Sequence, residues 1–274
     1  MSDPLDFRRL EAVVVDMDGV LWRGNTPLPG LGVFFGFLRE RGIPFVLATN
    51  NASKAPEVYV ARLAERDVTV ARNEILTSAL ATADYLRGLH PAGTPVYVVG
   101  GPGLRVALAD AGFTVVENPD RPVEVVVAGI DFELTYEKLA RAATYIQRGA
   151  GFVGTNPDPT YPSEEGNLPG AGTILAAIRT CTGVEPTVIG KPGRAMFDVA
   201  VARTGRPRER TAMVGDRLDT DVLGARRAGL ATILVTTGVD DAAAIVAKGI
   251  RPDAVFDGLP ALTEAWRTAL DEAG

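Results

Sequence analysis

Two aspartates separated by one residue, Asp16 and Asp18, follow an apolar run that begins at Val13. Alternate residues of a β-strand point to the same face, so both carboxylates are expected to project together where the strand ends. Two unit charges about 4 Å apart repel by roughly 4 kcal/mol at an effective dielectric near 20, so the pair requires a cation, a shared proton or water. Taken alone, the two residues are equally compatible with a turn at Asp18-Gly19. The rest of the chain must decide between acid chemistry and a turn.

Two later segments place a hydroxyl and an ammonium after apolar strands. Thr49 ends the run that begins at Phe45, and its hydroxyl could hold an oxyanion, while the polar residues after it could equally cap a helix. Lys191 lies in a Gly-Lys-Pro turn, where its ammonium could contact a phosphate as a compact charge. The chain has only four lysines, so this one is less easily explained as solvated surface. Both segments can therefore supply partners for a phosphate.

Asp216 repeats the strand-end position of Asp16, because it follows the apolar run at 211–214. More acid follows at Asp219 and Asp221, which could complement the dipole of a helix that starts there. A hard cation such as Mg²⁺ is bound by one or two carboxylates, with water and phosphate oxygens completing its coordination. Mg²⁺ would offset the repulsion among the strand-end carboxylates, and it is the cofactor that the sequence predicts.

The composition excludes several classes of function. The 274 residues carry a net charge of −6, which argues against a broad basic face for nucleic acid. His90 is the only histidine and lies in a turn pattern, so multi-histidine metal sites are excluded and a histidine-based nucleophile is disfavoured. Cys181 is the only cysteine, so no internal disulfide forms. The first residues do not resemble a signal peptide and no apolar run could cross a bilayer, so we expect a cytoplasmic protein without membrane partners.

Strand patterns rich in β-branched residues alternate with helical patterns along most of the chain, which indicates βαβ units and a parallel sheet. One set makes a doubly wound domain, with strands at 12–15, 45–48, 188–189, 211–214, 231–235 and 254–256, and helices at 31–41, 55–64, 196–203, 220–227, 241–248 and 259–270. Active sites of such folds lie at the carboxyl ends of the strands, which is where Asp16, Thr49 and Asp216 fall.

The segment between the helix at 55–64 and the strand at 188–189 is too long for a simple crossover. It carries its own predicted strands at 96–99, 115–116, 123–128 and 152–155, and helices at 104–111, 136–147 and 173–181. We therefore predict a core domain formed by 1–77 and 184–274 and an inserted α/β cap domain at 78–183. The two chain crossings between the domains could act as a hinge.

The four elements at Asp16 and Asp18, Thr49, Lys191 and Asp216, in this order, resemble the motifs of the haloacid dehalogenase-like (HAD) superfamily. The resemblance spans the whole chain and implies a Rossmann-like core. Asp18 indicates a phosphatase, because dehalogenases and phosphonate hydrolases of the superfamily lack an aspartate at this position. Few residues separate Asp18 from Thr49, so the lid must be the later insertion. That arrangement resembles subfamily IIA, the p-nitrophenyl phosphatase or NagD-like branch.

Two further segments are similar to features of that branch. The loop at 154–159, together with 168–173, resembles its lid signature, and the lid loop as a whole runs over 156–172. Trp22 and the Arg-Gly pair after it resemble the short flap that these enzymes place over the nucleophile, although ordinary packing is the alternative for Trp22. A G-x-G-x-x-G pattern at 149–154 does not indicate a dinucleotide site, because it follows a helix and enters a strand.

The resemblance implies a role for each residue of the four motifs. Asp16 is the nucleophile, and Asp18 protonates the leaving alcohol and then deprotonates the attacking water. Thr49 and Lys191 hold the transferring phosphoryl oxygens. Asp16, Asp216 and the main-chain carbonyl of Asp18 ligate Mg²⁺.

The resemblance also implies supporting residues around these motifs. Asp221 orients the water ligands of the metal from outside its first coordination sphere. Asn50 adds a main-chain donor for the substrate. Asn51, Asn156 and Asp158 complete the predicted substrate-binding set.

These roles define a Mg²⁺-dependent phosphomonoester hydrolase that acts on small phosphorylated metabolites through an aspartyl-phosphate, with p-nitrophenyl phosphate as a surrogate substrate. A phosphotransferase or mutase of the same superfamily and a non-catalytic regulator that binds phosphometabolites are the alternatives. Phosphoglycolate, glycerol phosphate, nucleoside monophosphates, pyridoxal phosphate and sugar phosphates are all compatible with the branch. A homodimer through the cap is expected by resemblance only.

Overall fold

A computed structural model describes residues 5–118, 121–163 and 166–272 of the chain. Two compact units are present, each built around a parallel sheet with intervening helices. Unit 1 comprises Met1–Thr49, Tyr59–Leu76 and Phe197–Gly274, and unit 2 comprises Asn50–Val58 and Thr77–Met196. The predicted α/β class with a doubly wound sheet is confirmed. The predicted limits of the inserted domain, 78–183, stay a prediction.

The elements are numbered in chain order. The strands are β1 (Ala12–Asp16), β2 (Trp22–Arg23), β3 (Thr26–Pro27), β4 (Phe45–Thr49), β5 (Ile75–Thr77), β6 (Pro95–Val99), β7 (Thr114–Val115), β8 (Val125–Ala128), β9 (Gly151–Gly154), β10 (Thr160–Ser163), β11 (Gly166–Pro169), β12 (Thr187–Val188), β13 (Thr211–Gly215), β14 (Ala231–Val235) and β15 (Ala254–Phe256). The helices are α1 (Leu31–Glu40), α2 (Pro56–Ala64), α3 (Ser78–Arg87), α4 (Pro102–Asp110), α5 (Tyr136–Gln147), α6 (Ala171–Thr182), α7 (Arg194–Thr204), α8 (Leu223–Arg227), α9 (Ala242–Lys248) and α10 (Leu259–Asp271). Within the described ranges, no helix is long and apolar enough to span a bilayer.

The larger sheet has six strands in the order β15-β14-β13-β1-β4-β5. From the central β1 the chain moves outward through β4 to β5 on one side, and through β13 and β14 to β15 on the other. The pairings of β1 with β4 and β13, and of β14 with β13 and β15, are parallel. A reversal of strand order of this kind opens a crevice at the carboxyl ends of the central strands. The carboxyl ends of β1, β4 and β13 are therefore neighbours.

The central strands of this sheet are buried along their whole length. Three consecutive valines in β1 suit a parallel strand that is covered on both faces, because such strands need apolar side chains on each side of the pleat. Aromatic residues of the helices fill the same core, and the rings of Phe37 in α1 and Trp266 in α10 meet edge-on with centroids 5.7 Å apart. This packing fixes the sheet whose edge carries the strand-end acids.

Unit 2 contains a five-stranded sheet in the order β12-β9-β8-β6-β7, with parallel pairings throughout. Its core includes Tyr97 and Tyr145, whose ring centroids are 5.3 Å apart, together with apolar residues of α5 and α6. The strands β10 and β11 form a separate antiparallel hairpin. Residues 164–165 of the predicted lid loop lie outside the described residues.

Three sequence predictions differ from the structure. The strand at 188–189 was assigned to the larger sheet, which is wrong: Val188 pairs with Gly154 of β9 in the second sheet, because a two-residue apolar run carries no information about its partner. The helix at 220–227 begins instead with a wide π-helical turn at Leu218–Val222 that continues into α8. The strand β5 and helix α3 were missed, since polar Ser78 and Thr82 obscure the helical pattern. Most other predicted elements end within two residues of the observed bounds.

Candidate active site

Three polar residues of unit 1 end adjacent strands of the larger sheet. Asp16 is the last residue of β1, Thr49 is the last residue of β4, and Asp216 follows β13 directly. Since β1 lies between β4 and β13, the three residues lie at one edge of the sheet, as their strand-end positions predict. All three side chains are buried. The crevice of the doubly wound sheet thus contains a hydroxyl and two carboxylates.

A third carboxylate joins Asp16 and Asp216 in this crevice. Asp16, Asp216 and Asp221 each offer one oxygen, and these oxygens lie within 4.8 Å of one another. The three residues are at most 7% exposed. Like charges this close raise each other's free energy by several kcal/mol at a reduced dielectric, by roughly 4 kcal/mol per pair at 4 Å. We name Asp16, Asp216 and Asp221 the acid cluster.

Backbone N–H groups orient two of the three carboxylates. Val239 N donates to Asp216 Oδ2 at 2.8 Å. The backbone nitrogens of Asp216 and Arg217 donate to Asp221 Oδ2 at 3.2 and 3.0 Å. The second set closes the π-helical turn after β13, which explains why the regular α-helix α8 starts only at Leu223. The main chain therefore fixes the orientation of these two carboxylates.

An ion pair on α9 anchors the loop that supplies one of these donors. Asp240 N donates to Asp216 O at 3.0 Å, and Asp240 Oδ2 accepts from Leu218 N at 2.7 Å. Lys248 Nζ lies 3.0 Å from Asp240 Oδ1 and also contacts Asp219. Hydrogen bonding to Asp219 is the largest of the influences that raise the pKa of Lys248. This ion pair supports the acid cluster from outside.

Two glycines allow the main chain to approach the carboxylate of Asp216. A Cβ atom on either Gly19 or Gly238 would collide with that carboxylate. Gly19 also has a φ of +87°, a conformation that side chains with a Cβ rarely adopt. The space around Asp216 is therefore shaped by residues that lack side chains.

Asp18 lies in a different environment from the acid cluster. The strand β1 ends at Asp16, so the two-residue periodicity of the strand does not extend to Asp18, whose side chain is exposed. Its Oδ1 accepts a hydrogen bond from the indole Nε1 of Trp22 at 2.8 Å. Asp16 and Asp18 therefore occupy different environments, although the sequence analysis treated them as a pair on one face. The predicted contact between the Asp18 carbonyl and a metal stays a prediction.

Trp22 begins a short antiparallel hairpin made by β2 and β3, which we call the flap (residues 22–27). The indole is fully buried. The guanidinium of Arg62 lies 3.9 Å from the centre of the Trp22 ring system, and the ring of Tyr59 is stacked nearly parallel to it. Arg62 also donates to the carbonyl of Gly24. Burial lowers the pKa of the Arg62 guanidinium, and the charge of Asp18 acts in the opposite direction.

In unit 2, Asn50 joins the main chain at Lys191 to the loop at Asp158. The Asn50 side chain accepts from Lys191 N at 2.8 Å and donates to Lys191 O at 2.9 Å. Its Nδ2 also donates to Asp158 Oδ2 at 3.0 Å. Lys191 itself is buried. The sequence analysis gave Asn50 a main-chain role, whereas the structure shows its carboxamide holding the turn that carries Lys191.

Asn156 completes this amide network, by which we mean Asn50, Asn156, Asp158 and the main chain of Lys191. Asn156 Nδ2 donates to Asn50 O at 2.7 Å, and Asn156 Oδ1 accepts from Asp158 N at 3.1 Å. A Cβ on Gly190 would collide with Thr155 O and approach Asn50 Oδ1 to 2.7 Å. Four of the residues predicted to bind substrate are therefore linked to each other.

Asn51 forms a local turn with Ser53. Its Oδ1 accepts from Ser53 N at 2.9 Å and from Ser53 Oγ at 2.7 Å. That arrangement is the local side-chain turn that was the alternative for this segment. A substrate contact by Asn51 stays a prediction.

Sequence reasoning missed several residues that hold the site. Arg62 and Tyr59 support the flap, and Lys248 with Asp240 supports the acid cluster. Only long-range packing reveals these contacts, so no local pattern could have found them. Gly190 could have indicated this contact from the sequence, because a glycine in a turn allows two segments of the chain to approach each other closely.

Two family models match the chain. The model of haloacid dehalogenase-like hydrolases matches residues 13–114, and a model described as HAD-hydrolase-like matches residues 188–262. The two matches include the strand ends with Asp16, Thr49 and Asp216. The matched ranges therefore include residues on which the resemblance to this superfamily was based.

Curated and solved relatives cover nearly the whole chain. An acid sugar phosphatase from Staphylococcus epidermidis is 38% identical over 92% of this chain and 96% of its own. The structure of a 4-nitrophenylphosphatase from Thermotoga maritima has a TM-score of 0.88 at 35% identity, covering 95% of this chain and 98% of that one. A glycerol phosphate phosphatase from Mycobacterium tuberculosis, solved in complex with magnesium, has a TM-score of 0.86 at 35% identity, covering 93% and 77%.

Proposed function

Because this chain belongs to the haloacid dehalogenase-like hydrolase family, in its p-nitrophenyl phosphatase or NagD-like branch, we propose that it hydrolyses phosphate monoesters of small metabolites. The family and the phosphatase class predicted from the sequence are confirmed. The relatives named above are phosphatases of acid sugars, of nitrophenyl phosphate and of glycerol phosphate. We therefore propose the phosphate ester of a small sugar or polyol as the substrate.

The observation that most directly supports hydrolysis of phosphate monoesters is the acid cluster at the carboxyl end of β1. A buried strand ends on Asp16, and two more carboxylates reach within 4.8 Å of it. Three carboxylates in one crevice lower the stability of the folded protein, so stability alone does not explain why they are there. Their placement suits a reaction in which one carboxylate attacks phosphorus while the others hold a cation and orient its water ligands.

The acid cluster fits Mg²⁺ as the cofactor that the sequence predicts. Carboxylate oxygens are the ligands that Mg²⁺ takes from proteins, and the cluster offers three of them, all buried and within 4.8 Å of one another. Asp16 and Asp216 would hold the ion, with Asp221 orienting its water ligands. When bound, Mg²⁺ would offset the negative charge that gathers on the phosphoryl oxygens.

The protein residues divide the proposed reaction into two steps. In the first, a carboxylate oxygen of Asp16 attacks phosphorus, the bond from phosphorus to the ester oxygen breaks, and the leaving oxygen takes a proton from Asp18. In the second, water attacks the phosphorus of the aspartyl-phosphate and gives a proton to Asp18, which releases phosphate and restores Asp16. The buried environment of Asp16 and the exposed one of Asp18 support these separate roles.

We propose that Thr49 and Lys191 hold the phosphoryl oxygens. The Thr49 hydroxyl ends the strand next to β1, which suits a donor to the transferring group. Asn50 holds the main chain of Lys191, which fixes the turn from which the lysine side chain extends. A positioned ammonium would stabilise an oxyanion with little reorganisation during the reaction. Asn156 and Asp158 would serve substrate binding through the same network.

The test is hydrolysis of p-nitrophenyl phosphate in the presence of Mg²⁺. Asp16→Asn should lower the rate by more than about 10³-fold, because the amide cannot act as the nucleophile. Asp257→Asn is the matched control, since Asp257 is an exposed acid of the same unit. Circular dichroism should show both variants folded. Near-normal turnover by Asp16→Asn would reject the mechanism.

A second measurement separates hydrolysis from transfer. Phosphate release and phosphoryl transfer to added glycerol should be followed in the same reaction. A hydrolase releases one phosphate for each nitrophenol, whereas a phosphotransferase produces more nitrophenol than phosphate. A cytoplasmic location and a homodimer through unit 2 stay predictions.

A further inference from the structure

The flap tryptophan contacts the acid that exchanges protons in the proposed reaction. Trp22 Nε1 donates to Asp18 Oδ1 at 2.8 Å. Packing alone explains the burial of an indole but does not require its single N–H group to meet one particular oxygen. We propose that Trp22 is a positioning residue, which occupies Oδ1 of Asp18 and leaves Oδ2 as the atom that carries the proton. This inference rests on the proposed phosphatase function.

The chemistry of a carboxylic acid gives the hydrogen bond its consequence. A neutral acid has one oxygen that accepts and one that carries the proton. An indole N–H can only donate, so its bond to Oδ1 favours the form protonated at Oδ2. In the first step the proton on Oδ2 passes to the ester oxygen as its bond to phosphorus breaks. In the second step a proton of water returns to Oδ2 as the water oxygen bonds to phosphorus.

The contacts around the indole keep the donor in place. The Arg62 guanidinium lies 3.9 Å from the centre of the Trp22 ring system, and the ring of Tyr59 is stacked on it with a centroid distance of 6.4 Å. Arg66 adds a bond to the flap, from its side chain to Asn25 O at 3.1 Å. The negative face of an indole attracts a cation placed over it, which helps to hold the ring in place. The side chain of Asp18 is exposed, so this fixed donor limits the orientations that it can take.

Two aryl phosphates with different leaving groups test the proposal. Nitrophenolate is a weak base that departs with little help, whereas phenolate from phenyl phosphate needs a proton from the acid. Trp22→Phe keeps an aromatic ring but removes the donor. It should lower kcat for phenyl phosphate by at least about tenfold and for p-nitrophenyl phosphate by less than about threefold, because general acid catalysis matters most for the poorer leaving group. KM should change little for either ester.

Two controls separate positioning from a general loss of structure. Trp266→Phe makes the same substitution in the core of unit 1, far along the chain from Asp18, and should leave the ratio of the two rates unchanged. In an Asp18→Asn background, adding Trp22→Phe should not change the ratio further, because the group that it positions is already lost. If the wild-type protein hydrolyses neither ester, the proposed function is wrong. If it hydrolyses both and Trp22→Phe lowers both equally, only the positioning role is wrong.

A spectroscopic measurement does not depend on activity or on the folding of the Trp22 variant. The chain has two tryptophans, so a ¹⁵N–¹H correlation spectrum contains two indole N–H signals, from Trp22 and Trp266. Asp18→Ala should move the Trp22 signal upfield and leave the Trp266 signal in place. A Trp22 signal that does not move in Asp18→Ala would overturn the proposal.

Discussion

The acid cluster of unit 1 and the amide network of unit 2 differ in how their polar groups are stabilised. The acid cluster gathers three carboxylates of like charge, and main-chain N–H groups donate to two of them. The amide network pairs donors with acceptors, so that Asn50 meets both the N–H and the carbonyl of Lys191. A region that satisfies its own hydrogen bonds is stable without a ligand. A region that concentrates one charge gains stability when an opposite charge binds.

This difference indicates that the acid cluster responds to a bound cation, whereas the amide network is a structural support. Repulsion among buried carboxylates is energy that a bound cation can release. Paired amides hold a main-chain turn in one conformation and gain nothing further from a cation. The comparison leads to four predictions, which are ordered from the largest expected effect to the smallest.

Mg²⁺ should stabilise the wild-type protein but not the Asp216→Asn variant. Ligand at a hundredfold excess over Kd contributes about 2.7 kcal/mol, which corresponds to a rise in Tm of roughly 5–10 °C for a chain of this size. Thermal unfolding with EDTA or Mg²⁺ measures the stabilisation, with Asp257→Asn as the control. An equal response of wild type and Asp216→Asn to Mg²⁺ would contradict the prediction.

Two glycine substitutions should affect the two regions separately. Gly238→Ala places a methyl group against the Asp216 carboxylate, and Gly190→Ala places one against Thr155 O and Asn50. Each should lower the free energy of unfolding by about 1–3 kcal/mol. Only Gly238→Ala should also weaken the stabilisation by Mg²⁺. Denaturant unfolding with and without Mg²⁺ distinguishes them, and loss of the Mg²⁺ response in Gly190→Ala would refute the separation.

Gly36→Ala is the matched control for both glycine variants. Gly36 lies on the exposed face of α1, where a Cβ would meet no atom within 4 Å. Alanine is favoured over glycine in a helix by about 0.5–1 kcal/mol. This variant should therefore be slightly more stable than the wild type.

Asn50→Ala should destabilise the protein by the same amount with and without Mg²⁺. The change leaves the main-chain groups of Lys191 without their side-chain partner, at a cost of about 1–2 kcal/mol. None of the groups that Asn50 contacts is a proposed metal ligand, so EDTA should not alter the loss. Chemical denaturation measures it, and Asn167→Ala, at an exposed position in β11, is the control. A loss that depends on Mg²⁺ would join the two regions into one system.

Lys248→Gln should have the smallest effect, because Lys248 is partly exposed and its partner Asp219 is mostly exposed, so that solvent screens the pair to less than about 1 kcal/mol. Bonds to Asp219 and Asp240 raise the pKa of Lys248 above its ordinary value of 10.5. A raised pKa means that the contribution is complete below pH 10.5 and is lost as the pH rises through the folded-state value.

The measurement for Lys248 is the difference in unfolding free energy between wild type and Lys248→Gln as a function of pH. The difference should be constant from pH 7 to 9 and should shrink at more alkaline pH. Lys54→Gln, at an exposed lysine, provides a control with no difference. A difference that disappears below pH 9 would show that the ion pair is not its source.

The strand ends of the first region were predictable because each motif has a local signature. An apolar run followed by Asp16, Thr49 or Asp216 fixes both the strand and the place where the polar group emerges. The parallel sheet follows from the alternation of strands and helices. These features depend on residues that are neighbours in sequence, so no tertiary contact is needed to predict them.

The second region was predicted less well because its contacts join distant parts of the chain. The side chain of Asn50 bonds to Lys191, 141 residues later. The local turn that Asn51 makes with Ser53, by contrast, was an alternative that the sequence offered. The exposure of Asp18 was also missed, since the strand ends two residues before it. Hydrogen bonds of this range are set by the packing of the whole domain.

The pairing of β12 with β9 has a consequence for the exchange of segments between relatives. A chimera that transplants the inserted segment as 78–183 would separate Thr187 and Val188 from the strand with which they pair. It would also take Asn156 and Lys191 from different parents. A junction after Met196, where the compact unit ends, keeps the strand and the turn that carries the lysine in one inherited piece.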